Sequence, residues 1–215
     1  LTQTTRLSVR VFDGTDWSAI DSADFLVNEP ATADNLLVTE LNYNPYAPDA
    51  SKGEPDVDKE DFEFIELKNV GATEIDLTGV KFTTGITFDF TGSSAVYVAP
   101  GAYVVVVKNI DAFRARYGDG PVIAGVYSGS LSNSGERIRL VDAAGNDVMD
   151  FTYDDEGDWP TDPDGRGKSL VLVAPNGDPN DPSSWRASAE QGGSPGAQGN
   201  TAPDLTAPGN RTTDE

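Results

Sequence analysis

Oxygen and lysine chemistry is what this chain has to offer. Its 215 residues include no cysteine and no histidine. That removes thiol nucleophiles, Cys/His zinc sites and the commonest general base. What remains is a large stock of carboxylates, and three groups of them have suggestive positions. The first is YDDEGDWPTDPDG (153–165), with six acids in thirteen residues. Asp154, Asp155 and Asp158, with Glu156 between them, gather hard oxygens, and calcium takes about six to eight such ligands. Calcium is the cofactor this stretch could hold. The EF-hand spacing fails, because that loop needs a glycine at its sixth position. Counting from Asp154 the sixth residue is Trp159, and counting from Asp158 the third is Pro160. A structural turn is the stronger reading. Pro160 and Pro163 stiffen the connection, and Trp159 is large enough to cover the open end of a sandwich. Gly165 and Gly167 permit positive φ. Arg166 and Lys168 can partly neutralise the acids.

The second group is Asp56, Asp58, Glu60 and Asp61 in PDVDKEDFEF (55–64). The sixth residue from Asp56 is not glycine and the twelfth is Leu67, so a solvated loop is favoured over an ion site. The third group is Glu40 and Glu66, each intruding on a strand pattern. Carboxylates are seldom buried without a partner. Arg137, Arg139 or Lys68 could pair with them, so a structural ion pair or a polar edge is the favoured reading. Two carboxylates ~5–9 Å apart could also serve a glycosidase. That chemistry needs a cleft, which a small sandwich with short turns rarely offers, and it is set aside. There is no S-x-x-K pair and no phosphate-binding loop. Catalysis is not expected.

Charge narrows the partners. Fifteen basic residues face 36 acidic ones, for a net charge of −21. Such a surface repels nucleic acid and anionic lipid. No apolar run reaches membrane-spanning length, the longest being AYVVVV at 102–107. Trp17, Trp159, Trp185, Tyr46 and Tyr127 could stack on sugars, but each suits a core or rim position better.

The elements that must position these groups are mostly short strands. TRLSVRVF (5–12) alternates, and so does FEFIELKNV (62–70), with Phe62, Phe64 and Glu66 on one face and Glu63, Ile65 and Leu67 on the other. VYVAPGAYVVVVK (96–108) holds two strands around Pro100–Gly101. IDAFRARYGDG is the one convincing helix, over about 110–117. Asp111 can cap it, Phe113 and Tyr117 share a face, and Gly118 closes it. Strands spaced roughly ten residues apart predict an all-β protein, an antiparallel β-sandwich.

LLVTELNYNP, FEFIELKNVGATEIDLTGVKF, VAPGAYVVVVKN and LSNSGERIRLVDAAGNDVMDFTY, in that order, resemble the lamin tail domain. DDEGDWPTDPDGRGKSLVL, NDPSSWRAS and GGSPGAQGN extend the resemblance to the bacterial secreted or cell-surface type, over about residues 36–199. The resemblance implies an immunoglobulin-like sandwich and a non-catalytic binding, adhesion or scaffold module. Extracellular or cell-surface placement follows from it, with an unknown protein or glycan as partner and a monomeric isolated fragment. Residues 1–28 resemble the last strands of a preceding fibronectin-III-like or chitobiase-C-terminal-like module. Residues 29–35 are expected to be a linker, and Gly/Pro-rich 192–215 to be a linker running into a further domain from 200. The competing expectation is a calcium-dependent carbohydrate- or surface-binding module.

Overall fold

The computed structural model describes residues 5–25, 28–173 and 176–197. In chain order its strands are β1 (Thr5–Val9), β2 (Asp21–Phe25), β3 (Glu29–Pro30), β4 (Leu36–Asn42), β5 (Phe64–Asn69), β6 (Ile75–Asp76), β7 (Lys81–Thr84), β8 (Phe88–Asp89), β9 (Tyr97–Val98) and β10 (Tyr103–Val107). Helix α1 (Ile110–Tyr117) follows, then β11 (Ile123–Val126), β12 (Glu136–Val141), β13 (Asp147–Tyr153), β14 (Leu170–Leu172) and β15 (Trp185–Ala187). One six-stranded sheet runs β11-β10-β5-β4-β14-β15, and a four-stranded sheet runs β13-β12-β7-β8. Only the β10–β11 pair of these two sheets is parallel. A small mixed sheet, β3-β6-β9, lies beside them. The architecture is an immunoglobulin-like β-sandwich.

Alternation along the strands explains the layers. Val38, Leu41, Ile65, Leu67, Val104 and Val106 point inward from the larger sheet, to meet Phe82, Ile138, Leu140, Met149 and Phe151 from the other. The other face of the larger sheet carries Phe64, Val105 and Val107, which pack on Phe113 of α1. Phe64 meets Phe113 and Tyr117 edge-on, with ring centroids 5.7 and 5.5 Å apart. The helix occupies the predicted residues, and Gly118 closes it by donating to the Arg114 carbonyl. Its cap differs from expectation. Asn109, not Asp111, accepts from the first free amides, Asp111 N and Ala112 N. Asp111 lies too far in for its side chain to reach back to them.

Two boundaries also differ. Residues 29–35 are not a linker: Glu29 and Pro30 pair with Ile75 and Asp76, and Ala31 is buried. Asn35 turns the chain into β4, accepting from Thr32 N and donating to the Pro30 carbonyl. Residues 192–197 are not a free linker either, as shown below. Residues 198–215 lie outside the described residues. Among the described residues the hairpin of β1 and β2 buries no apolar side chain. Leu7, Val9, Val11 and Ile20 are all more than half exposed.

Candidate functional site

The bulge in β4 between Val38 and Glu40 puts Glu40 directly opposite Glu66 on β5, on the outer face of the larger sheet. Opposed residues on antiparallel strands hold their Cβ atoms about 4.5–5.5 Å apart. Both carboxylates are 1% exposed. What covers them is the segment Gly192–Ala197, which crosses the sheet as a strap. Ser194 N donates to Glu40 Oε1 at 2.9 Å, and Gly196 N donates to Glu66 Oε2 at 2.7 Å. Pro195 between them has no amide hydrogen to satisfy. Ser169 Oγ donates to Glu40 at 2.5 Å and Thr39 Oγ1 to Glu66 at 2.6 Å. Tyr117 Oη donates to the Gly192 carbonyl at 2.8 Å, which ties the strap to α1. At Gly193, where φ is +92°, a Cβ would sit 1.9 Å from Glu40 Oε1, so only glycine fits.

The expected ion pairs do not form here. Arg137 and Arg139 stand on β12 of the opposite sheet, beside the inward-facing Ile138 and Leu140. They pair instead with Asp150 and Asp147. Lys68 lies 4.7 Å over the Tyr103 ring. With neither carboxylate salt-bridged among the described residues, burial raises both carboxyls. Glu40 is shifted upward, with its serine hydrogen bonds opposing. Glu66 is pushed up to about 8, first by burial and then by the charge of Glu40. A perturbed carboxylate pair is what a glycosidase would show, yet the strap roofs these two and no substrate reaches them.

Two further buried acids escape sequence reasoning. Glu54, in the long acidic loop, makes a two-pronged pair with Arg116 of α1, at 2.9 and 2.8 Å. Both side chains are almost wholly enclosed. The guanidinium also lies between the Tyr46 and Phe62 rings, 3.7 and 3.5 Å from their centroids. Arg116 holds the Glu54 carboxyl below its ordinary range. Glu63 accepts from Tyr127 Oη at 2.7 Å and Leu131 N at 3.0 Å. Burial pushes it up to about 7. The only sequence signal for Glu63, just ahead of β5, is its place in the alternation with Ile65 and Leu67.

The acidic turn is different. Asp154 Oδ1 accepts from the amides of Asp155 and Glu156, a local turn. Asp164 accepts from Asn44 Nδ2 at 2.6 Å. Desolvation, then Asp164 and Asp154 nearby, raises the Asp155 carboxyl. Asp158 is exposed. Among the described residues no three acids gather where they could hold a metal ion. In the second acidic group, Asp61 accepts from Asn109 Nδ2 and Glu60 lies 3.9 Å from Lys59. Arg166 pairs with Asp162, while Lys168 donates to the Ala189 carbonyl rather than to an acid. Gly165 and Gly167 have φ of +68° and +87°. Trp159 is half-buried against the core, 6.4 Å from Trp185, which itself stacks on Phe151. Tyr127 is buried and Tyr46 is covered by Arg116, so of the five candidate stacking rings only Trp17 is exposed. Arg10 lies 4.3 Å over its face.

A two-sheet sandwich whose buried acids Glu40, Glu54, Glu63 and Glu66 each tie chain segments together defines an immunoglobulin-like domain. The family model described as Lamin Tail Domain matches residues 29–155, more than half of the chain, and the chain belongs to that family. Lamin tail domains are non-enzymatic, immunoglobulin-like protein-interaction domains. No curated protein and no solved structure matches the chain. The family match ends at residue 155, yet β14 pairs with β4 and β15 with β14. The folded unit therefore runs past the matched span, through the strap to residue 197.

Proposed function

We propose that this chain is a non-catalytic adhesion or scaffold module of a large secreted or cell-surface bacterial protein. The observation that carries the reading is the roofed carboxylate pair. Among the described residues, the carboxylate pair best suited to hydrolytic chemistry is covered by Gly192–Ala197 and hydrogen-bonded to it. The net charge of −21 supports it further, favouring basic surfaces and cations over nucleic acid as partners. The hairpin of β1 and β2, with its apolar residues exposed, fits the end of a separate module that precedes the domain.

The test is surface labelling with an antibody raised to residues 29–197. Intact cells of the source bacterium should label, and protease treatment of those cells should remove the label. Labelling only after permeabilisation would overturn the surface placement. A parallel screen on immobilised glycans, in calcium and in chelator, separates the competing reading. Glycan capture that needs calcium would make the domain a calcium-dependent carbohydrate-binding module.

A further inference from the structure

We propose that residues 192–197 form a proton-controlled latch, closed while the Glu40–Glu66 pair holds a proton and loosened when both carboxylates ionise. The geometry carries this. Two carboxylates stand opposite one another on adjacent strands, almost wholly out of water. Among the described residues every hydrogen bond to them comes from a neutral donor: Thr39, Ser169, Ser194 or Gly196. One negative charge on the pair strengthens the bonds from the strap amides. A second places like charges side by side in a dry site, which such a site resists. The cheapest relief is to let water in, and the element that excludes water is the strap. It is held by these two amide bonds, by Tyr117 Oη on the Gly192 carbonyl, and by Gly192 N on the Gly167 carbonyl. An open groove of about 450 Å³, lined by Tyr117, Gly120, Pro121 and residues 193–197, runs along the strap, so solvent already borders the segment.

The other charged and titratable groups facing the pair are few. Lys68 on β5 favours the ionised form of Glu66 weakly. Tyr117 of α1 is buried beside Glu40, and Arg116 next to it is committed to Glu54. Arg186 of β15 stands in the same cross-sheet row, with Val171 between it and Glu40. The strap carries no ionisable side chain of its own. Titration in this patch is therefore governed by the two glutamates.

Amide hydrogen exchange on the whole chain tests the latch. Protection of Ser194 and Gly196 is followed between about pH 6 and pH 9, corrected for intrinsic exchange, with β12 amides as the global reference. The opening equilibrium of the strap should rise about tenfold per pH unit from pH 6 up to about pH 8 and level off above it, while β12 stays protected. In Glu66→Gln the amide side chain can still accept from Gly196 N or Thr39 Oγ1, and the rise should disappear. A pH-independent strap, or a strap that opens only together with β12, would overturn the proposal. So would a wild-type slope in Glu66→Gln. If that variant does not fold, the wild-type comparison of strap against β12 decides alone.

Discussion

Two acidic regions of this domain differ in almost everything but their charge. The turn at 153–165 carries six acids, and the site under the strap carries two. In the turn most carboxylates accept from neighbouring amides, pair with a nearby arginine or meet solvent, and only Asp164 accepts from a distant residue, Asn44. Under the strap the two accept from residues 130 and 154 positions away. Density of charge in the sequence points to the turn. Consequence in the structure belongs to the sparse pair, because burial and not number sets what a carboxylate costs or contributes. Glu54 adds a third case, a buried acid whose cation comes with it.

Those three environments should separate cleanly on mutation. The largest loss is expected at the buried ion pair. Glu54→Ala leaves the Arg116 guanidinium enclosed without its counter-charge, which should cost about 3–5 kcal/mol in denaturant unfolding. Arg116→Ala should cost as much, and the double variant much less than the sum of the two. Additive losses would mean that the pair is not coupled. Glu54 has a depressed carboxyl, so its contribution is present above the ordinary glutamate range and is lost as the pH falls through the depressed value.

The strap pair should show the opposite pH dependence. Glu66 is raised in the fold from 4.5 to about 8. Its contribution is therefore fully present below pH 4.5 and is lost as the pH climbs through about 8. Between those limits the wild type should lose several kcal/mol relative to Glu66→Gln, which keeps the shape without the charge. Unfolding free energies of the two proteins across that range check it. Parallel curves would show that Glu66 titrates the same in the folded and unfolded chains. Next in size comes Gly193→Ala. Its new methyl would meet Glu40 in a left-handed backbone, and the expected cost is about 2–3 kcal/mol. Exchange at Ser194 should rise with it.

How far these regions can be read from sequence follows from the range of their contacts. β5, β10, β12 and α1 are legible because alternation and helical spacing are local, and Ile65, Val104, Ile138 and Phe113 are buried accordingly. Glu40 and Glu66 are visible as intruders on apolar strands. Their partners are not, since a serine and a glycine in a GGSPG run carry no sign that their amides face a carboxylate. Composition alone reads that run as linker. Residues 29–35 mislead for the same reason: a two-residue parallel pairing and one buried alanine leave no periodic trace. Glu54 lies in a loop that looks solvated, and its cation is 62 residues further along on a helix. Nothing within the loop announces the pair.

The smallest effect is expected where the sequence is loudest. Replacing Asp154, Asp155 and Asp158 together by asparagine removes three charges from a chain of net charge −21. An asparagine in place of Asp154 still has a side-chain oxygen for the two amides bonded there, so the turn keeps its geometry. Stability should change by no more than about 0.5 kcal/mol, with relief of self-repulsion favouring the variant. Calcium and magnesium at matched ionic strength should shift the melting temperature of the wild type equally, through screening alone. A calcium site with a Kd of about 0.1 mM would behave otherwise. It would add about 2.7 kcal/mol at a hundredfold excess of the ion, with magnesium unable to match it and the triple variant unable to show it. That outcome would reverse the comparison, making the exposed acids the working site and the buried pair only its support.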